Sequence, residues 1–340
     1  MIFITGASGL VGCALIMELY QQGVRKIRVL INRNNNVQTL LEEYPMPDLE
    51  VDYVFANLVD KESLIRVMSG VTEVYHLAAL ISIIPGIYPK LYETNVVGVE
   101  NLISAASIVG VKKIVHLSSV EAIGYKKGEV VLNESAGFRP DSAFIEYGKT
   151  KAIGAIKALE LARQQNISLV ILAPAGIIGP YDYAPSRLGQ FIWDSSRRKL
   201  PAYIDGSFDF VDSRDVASLA YQAMKRAPAY EVYICSGTHA TLEHIINIVT
   251  HQSHTKKPPK IARPLARILA FFFEVIYKLG GPQPLLTSGS LRITHAHITY
   301  DSSKAKQELR WNIRPLDQTI LETLSWFQEQ ASKNEIKKHD

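Results

Sequence analysis

The first twelve residues, Met1-Ile-Phe-Ile-Thr-Gly6-Ala-Ser8-Gly9-Leu10-Val-Gly12, put a short apolar run directly ahead of three glycines spaced three apart. A strand feeding such a turn lets backbone, ligand and the following helix come closer than a Cβ would allow. That helix aims its free N–H groups and positive dipole end at the turn, which suits a pyrophosphate. Gly6, Ser8, Gly9, Leu10 and Gly12 are therefore candidate dinucleotide-binding residues. The spacing alone is also that of an ordinary glycine-rich turn, so other segments must decide.

Apolar runs at 1–5, 27–31, 51–55, 73–77, 113–118 and 168–173 alternate with helical patterns near 10–22, 61–68, 89–109 and 144–165. This alternation predicts an α/β fold, a Rossmann-type doubly wound parallel sheet covered on both faces. Ligands of such sheets sit beyond the carboxyl ends of the strands. The glycine turn, Leu77-Ala78-Ala79, Ser118-Ser119 and the stretch from Pro174 to Ile177 all fall on that edge. Tyr147 and Lys151, four positions apart, share one helix face. The sheet domain is predicted over 1–180, with Phe208 to Ala217 rejoining the sheet inside a return segment at about 208–236. A smaller, mainly C-terminal substrate lobe takes 181–207 and 237–330, and 331–340 is a polar tail.

A chain of 340 residues buries a large core. Its net charge of +4 comes from dispersed Lys and Arg, which gives no support to nucleic-acid binding. Cys13 and Cys235 are too few for a disulfide framework or a four-cysteine zinc site. With a strand starting at Met1, they point to a reducing, cytoplasmic setting. His76 and His116 are expected in the core. His251, His254, His295 and His297 lack the neighbours of a metal site, and none is predicted.

One segment, Leu265 to Leu279, is strongly apolar but short, and it carries Arg267, Glu274 and Lys278. A spanning helix needs roughly 20 mostly uncharged residues. The expectation is a lobe helix packed on the core, with a substrate-lining or membrane-surface helix as alternatives.

Together the glycine turn, Val74-Tyr-His-Leu-Ala-Ala79, Asn95 to Asn101, Ile114-Val-His-Leu-Ser-Ser119, Tyr147 with Lys151, and Pro174 to Pro180 resemble the extended short-chain dehydrogenase/reductase superfamily. That group includes the NAD-dependent epimerases and dehydratases. The likeness runs from Met1 to about Phe327 and is nearest the dihydroflavonol reductase and 3β-hydroxysteroid dehydrogenase branch. It implies that Tyr147 is the acid/base, that Ser119 (with Ser118 as the alternative) bonds the reacting oxygen, and that Lys151 supports the phenolate and the nicotinamide ribose. It also implies cofactor contacts at Asn57, Leu58, Leu77, Ala78, Ala79, Pro174 and Ile177, and support of the site by Asn95. A homodimer through the helices at 89–109 and 144–165 is implied as well.

The end of the second strand, Val29-Leu-Ile-Asn32-Arg33, lacks the acid that accepts from an NAD ribose. NADP(H) held by Arg33 is favoured there, and NAD(H) is the alternative. Nucleotide-sugar enzymes of this superfamily commonly carry an Asn and an Arg where this chain has Gly176 and Phe208, so a relatively apolar ketone or aldehyde, which the 265–279 segment and the aromatic Tyr181-Asp182-Tyr183 loop would suit, is the expected substrate. The other readings are a sugar-nucleotide epimerase or dehydratase with retained NAD, and a non-catalytic NADPH-sensing protein.

Overall fold

The computed structural model describes residues 1–31, 35–125, 128–281, 284, 286–294 and 297–336. β1 (Ile2–Thr5), α1 (Leu10–Gln21), β2 (Lys26–Leu30), α2 (Asn36–Glu43), β3 (Glu50–Val54), α3 (Lys61–Val67) and β4 (Glu73–His76) alternate strictly. α4 (Tyr88–Tyr92), a π turn over Glu93–Val97 and α5 (Gly98–Val109) then run without a break toward β5 (Lys113–Leu117). After the short β6 (Val131–Leu132) come α6 (Glu146–Gln164), β7 (Ser168–Pro174), β8 (Gly176–Ile178), α7 (Arg187–Ser196), β9 (Ser207–Asp212), α8 (Ser213–Arg226) and β10 (Val232–Cys235). The remainder is β11 (Thr238–Thr241), α9 (Leu242–Gln252), α10 (Arg263–Lys278), α11 (Ser288–Thr294), β12 (Thr299–Tyr300), α12 (Ser303–Glu308) and α13 (Leu316–Ile336).

Seven strands form the central sheet in the order β10-β7-β5-β4-β1-β2-β3. Every pairing in it is parallel. The near-continuous apolar strands are explained by cover on both faces. Ile4, Val29, Tyr75, Val115 and Val170 pack with α1 and α8 on one side, and Phe3, Val74, Ile114, Leu169 and Ile171 with α3, α5 and α6 on the other. Strand order reverses between β1 and β4, which opens a crevice at their carboxyl ends.

Two sequence expectations fail here. Phe208 to Asp212 does not rejoin the central sheet, because β9 pairs with β8 and β11 in a separate three-stranded sheet and β10 takes the edge position. Ser207–Asp212 alternates apolar with polar residues, whereas Val232–Cys235 is a continuous apolar run of the kind a parallel sheet buries. The second failure is α10. It packs inward through Ala266 and Ala270 against Ile204, Ile261, Leu286 and Leu291, and most of its large apolar side chains stay exposed.

His76 and His116 are buried, with rings stacked at a 4.9 Å centroid separation, and Thr5 Oγ1 bonds His76 Nδ1 at 2.7 Å. Burial pulls His76 down to about 3 and His116 well below its ordinary value, with Lys151 adding to both, so the pair is neutral. His295 lies outside the described residues. Among the described residues, no helix is long and apolar enough to cross a membrane, and no His, Cys, Asp and Glu group could hold a metal ion.

Candidate active site

A cavity of about 970 Å³ opens on the carboxyl edge of the sheet. Gly6, Ser8, Gly9, Leu10, Gly12, Asn57, Leu58, Leu77, Ala78, Ala79, Ser119, Tyr147, Lys151, Pro174 and Ile177 all line it. Arg33 lies outside the described residues.

The floor of the cavity is the glycine turn. Gly6 has φ +73, and a Cβ there would stand 2.7 Å from the Ala78 nitrogen, so the turn and the end of β4 touch through bare backbone. A Cβ on Gly12 would strike the Gly6 carbonyl oxygen and come within 2.5 Å of that of Ala7, so α1 sits directly on the turn. Gly9 differs, since a Cβ there meets only Gly6 O at 3.4 Å. Ser8 Oγ is buried without a partner among the described residues, while Asn36 Nδ2 donates to the Ser8 carbonyl oxygen at 2.9 Å. A helix N-terminus, an open glycine face and an unbonded hydroxyl are a donor set that fits a pyrophosphate.

The opposite wall is β5 running into Ser118 and Ser119, with α6 beside it. Lys151 is buried and its Nζ donates to the Leu117 carbonyl oxygen at 2.7 Å, which pins α6 to the end of β5. Burial pulls its ammonium down to about 7. Burial pushes the Tyr147 phenol well above its ordinary range, side-chain hydrogen bonding with Ser119 opposes that rise, and the Glu121 charge adds to it. Ser119 Oγ accepts from Glu121 N at 3.2 Å, and Ser118 Oγ has no partner among the described residues.

Asn95, in the π turn, braces this wall. Its Oδ1 accepts from Leu80 N at 2.8 Å, and its Nδ2 donates to Leu80 O at 2.9 Å and to Thr150 Oγ1 at 3.2 Å. One amide therefore ties the loop after β4 to the helix carrying Tyr147. Asn95→Ala leaves the Leu80 groups without these partners and is expected to lower stability by about 2–4 kcal/mol. Chemical denaturation checks this, and a midpoint unchanged from wild type contradicts it.

Sequence reasoning missed Asn36, Glu121 and Arg187, which also line the cavity. Glu121 Oε2 is buried without a partner among the described residues, and burial raises its carboxyl from 4.5 to about 7. A lone acid after Ser-Ser gives no hint of this, since only the packing of α6 over the chain desolvates it. The proton is held more tightly in the folded state, so this group's contribution makes stability fall as pH rises from about 4.5 to about 7. Glu121→Gln is expected to remove that slope, gaining on wild type across this window by on the order of 3 kcal/mol. Parallel wild-type and variant curves in denaturation at stepped pH would rule it out.

The substrate end is lined by Phe144, Phe191, Tyr203, Ile204, Phe208 and Tyr300. Gly176 and Phe208 are among the lining residues, where a phosphate would need polar partners. Tyr181 and Tyr183, read from sequence as part of an aromatic substrate loop, turn away from it. Tyr181 packs edge-on against Tyr44, and Tyr183 packs on Trp326 and donates to Glu43 Oε2 at 2.7 Å. Asp182 between them faces the cavity but is bonded by Ser186.

A glycine cradle that opens onto a Ser, Tyr and Lys set is the design of the extended short-chain dehydrogenases and reductases. The chain belongs to the NAD dependent epimerase/dehydratase family, which it matches over residues 2–236. It is 29% identical to sterol demethylase protein B of Methylococcus capsulatus, over 96% of this chain and 98% of that one. It is 31% identical to a putative dihydroflavonol 4-reductase of Synechocystis, over 96% and 94% respectively. Among solved structures, gox2253 superposes with a TM-score of 0.81 at 27% identity, covering 97% of this chain and 98% of the other. The UDP-glucose 4-epimerase of Thermotoga maritima shares the fold, with a TM-score of 0.77 at 19% identity over 97% and 99%.

Proposed function

We propose that this protein is an NAD(P)(H)-dependent oxidoreductase acting on the carbonyl or alcohol of a bulky, largely apolar substrate. The observation that carries the reading is the meeting of Ser119, Tyr147 and Lys151 with the glycine cradle around one cavity. A nicotinamide dinucleotide, when bound, supplies or accepts the hydride. Gly9, Leu10 and Gly12 would hold its pyrophosphate, Asn57 and Leu58 its adenine end, and Ala78, Ala79, Lys151, Pro174 and Ile177 its nicotinamide half. In the reductive direction Tyr147 gives its phenolic proton to the substrate oxygen, while Ser119 donates a hydrogen bond to that oxygen as charge develops. Burial keeps the phenol protonated, so the proton to be given is present, although the raised pKa makes it a weaker donor than a free phenol.

NADP(H) is the favoured cofactor and NAD(H) the alternative. Among the described residues, Leu30 and Ile31 at the end of β2 and Asn36 at the start of α2 line the cavity, with no carboxylate to repel a 2′-phosphate. The sterol demethylase protein and a 3β-hydroxysteroid-dehydrogenase/decarboxylase of Arabidopsis thaliana, 27% identical, both support an alicyclic apolar substrate. A second reading, a sugar nucleotide, is favoured by Arg187, whose Nη1 donates to Pro284 O at 3.1 Å while its Nη2 is buried without a partner among the described residues. The test is purified protein with NADPH or NADH against cyclic ketones, followed by nicotinamide absorbance. Ketone-dependent oxidation of the cofactor is expected. No oxidation with any ketone, together with sugar-nucleotide turnover in the absence of added nicotinamide, would transfer the assignment to the second reading.

A further inference from the structure

A surface helix of a globular protein normally turns its large apolar side chains inward. α10 does the reverse. The residues it buries are Ala266 and Ala270, while Glu274 reaches back to bond Ser288 through its backbone N at 2.6 Å and its Oγ at 2.7 Å. Leu265, Ile268, Phe272, Val275, Ile276 and Leu279 form one outward stripe, widened by Phe271. Phe271 is 63% exposed, Phe272 56% and Leu279 83%. A contiguous patch of this kind marks a contact surface.

Charge identifies what covers it. From His254 to Gly281 the chain carries Lys256, Lys257, Lys260, Arg263, Arg267 and Lys278 against one acid, Glu274, which is turned inward. Lys257 and Lys260 pair with Glu243 and Asp205, whereas Lys256, Arg263, Arg267 and Lys278 have no carboxylate partner among the described residues. A second copy of this chain is a poor occupant, because helices paired in either direction set the cations at the stripe's ends against cations. An anionic lipid surface satisfies both features, accepting the aromatic stripe between its head groups and balancing the basic rim.

The helix also sits at the substrate end of the cavity. Ile204, Ile261 and Leu286, which pack against its inner face, line the cavity together with Ser290 and Thr294 of α11. We propose that α10 docks this protein on an anionic membrane surface and that its substrate is a membrane-partitioned lipid reaching the cavity beside this helix. The substrate half of the proposal rests on the oxidoreductase reading, and the docking half does not.

The test is flotation of the full chain with vesicles of phosphatidylcholine alone or mixed with phosphatidylglycerol. Wild type is expected to float with the mixed vesicles and to be released by high salt. The variant Phe271→Ser/Phe272→Ser/Ile276→Ser is expected to stay behind, with denaturation midpoint and NADPH affinity unchanged. Arg263→Gln/Arg267→Gln/Lys278→Gln is expected to lose the preference for the anionic mixture. Wild type that never floats, or a serine variant that floats equally, overturns the docking. A dimer converted to monomer by the serine variant, without vesicle binding, assigns the patch to a second copy instead. For the substrate half, a ketone dissolved in the vesicles is expected to be reduced at least tenfold more slowly by the serine variant, and a water-soluble ketone at the wild-type rate. Equal rates on the vesicle-borne ketone overturn delivery through α10. Flotation without turnover of either ketone defeats the oxidoreductase reading and leaves the docking intact.

Discussion

Tyr147→Phe is expected to reduce kcat by about two to four orders of magnitude while changing dinucleotide affinity by no more than a few-fold. The substitution removes one oxygen and keeps the ring, so the packing of α6 on β5 is preserved. What disappears is the phenolic O–H that the proposed reaction uses as its proton donor. Ser118 and Ser119 are much weaker acids, and Lys151 is committed to Leu117 O. Steady-state kinetics with NADPH and a cyclic ketone, beside a fluorescence titration of the cofactor, separates the two quantities. Wild-type kcat in the variant would remove Tyr147 from the chemistry, and a proportional loss of affinity and rate would recast it as a binding residue.

The second large effect concerns the glycine turn, where two glycines of one motif are expected to fail differently. Gly12→Val drives side-chain atoms into the backbone oxygens of Gly6 and Ala7, and α1 cannot retreat because α8 packs on its other side. A destabilisation of at least about 3 kcal/mol follows, the upper end of the cost of overpacking. Gly9→Ala meets only Gly6 O at 3.4 Å, so the fold is expected to hold. Its methyl instead occupies the face offered to the pyrophosphate, and NADPH affinity is expected to fall about tenfold or more, equivalent to ~1.4 kcal/mol. Denaturation and cofactor titration on both variants check the contrast. If Gly9→Ala binds NADPH as wild type does, the pyrophosphate is not held there.

The sheet was legible because β1 to β5 and β7 are apolar runs separated by helical periodicity, and parallel pairing with cover on both faces demands that pattern. The cradle and the Tyr147, Lys151 and Ser119 wall were legible for a related reason: each is set by residue types at fixed short spacing. What stayed hidden depends on long-range packing. α2 carries few apolar residues and went unread. The tyrosines on either side of Asp182 looked like substrate contacts until Tyr44 and Trp326, distant in sequence, claimed them. Glu121 acquires its raised pKa only from the elements that bury it. α10 misled most, because an apolar helix reads as buried wherever its stripe points, and only the fold shows that the stripe points outward.

The central claim is that Tyr147 and the glycine cradle serve the same bound dinucleotide. A crystal structure of the protein with NADPH tests it most directly. The account predicts the pyrophosphate against Gly9, Leu10 and Gly12, with a substrate-sized gap between the nicotinamide ring and the Tyr147 hydroxyl, so that a reacting carbon could approach the ring to roughly 3–3.5 Å. A dinucleotide bound elsewhere, or one whose nicotinamide end is directed away from Tyr147, would contradict it.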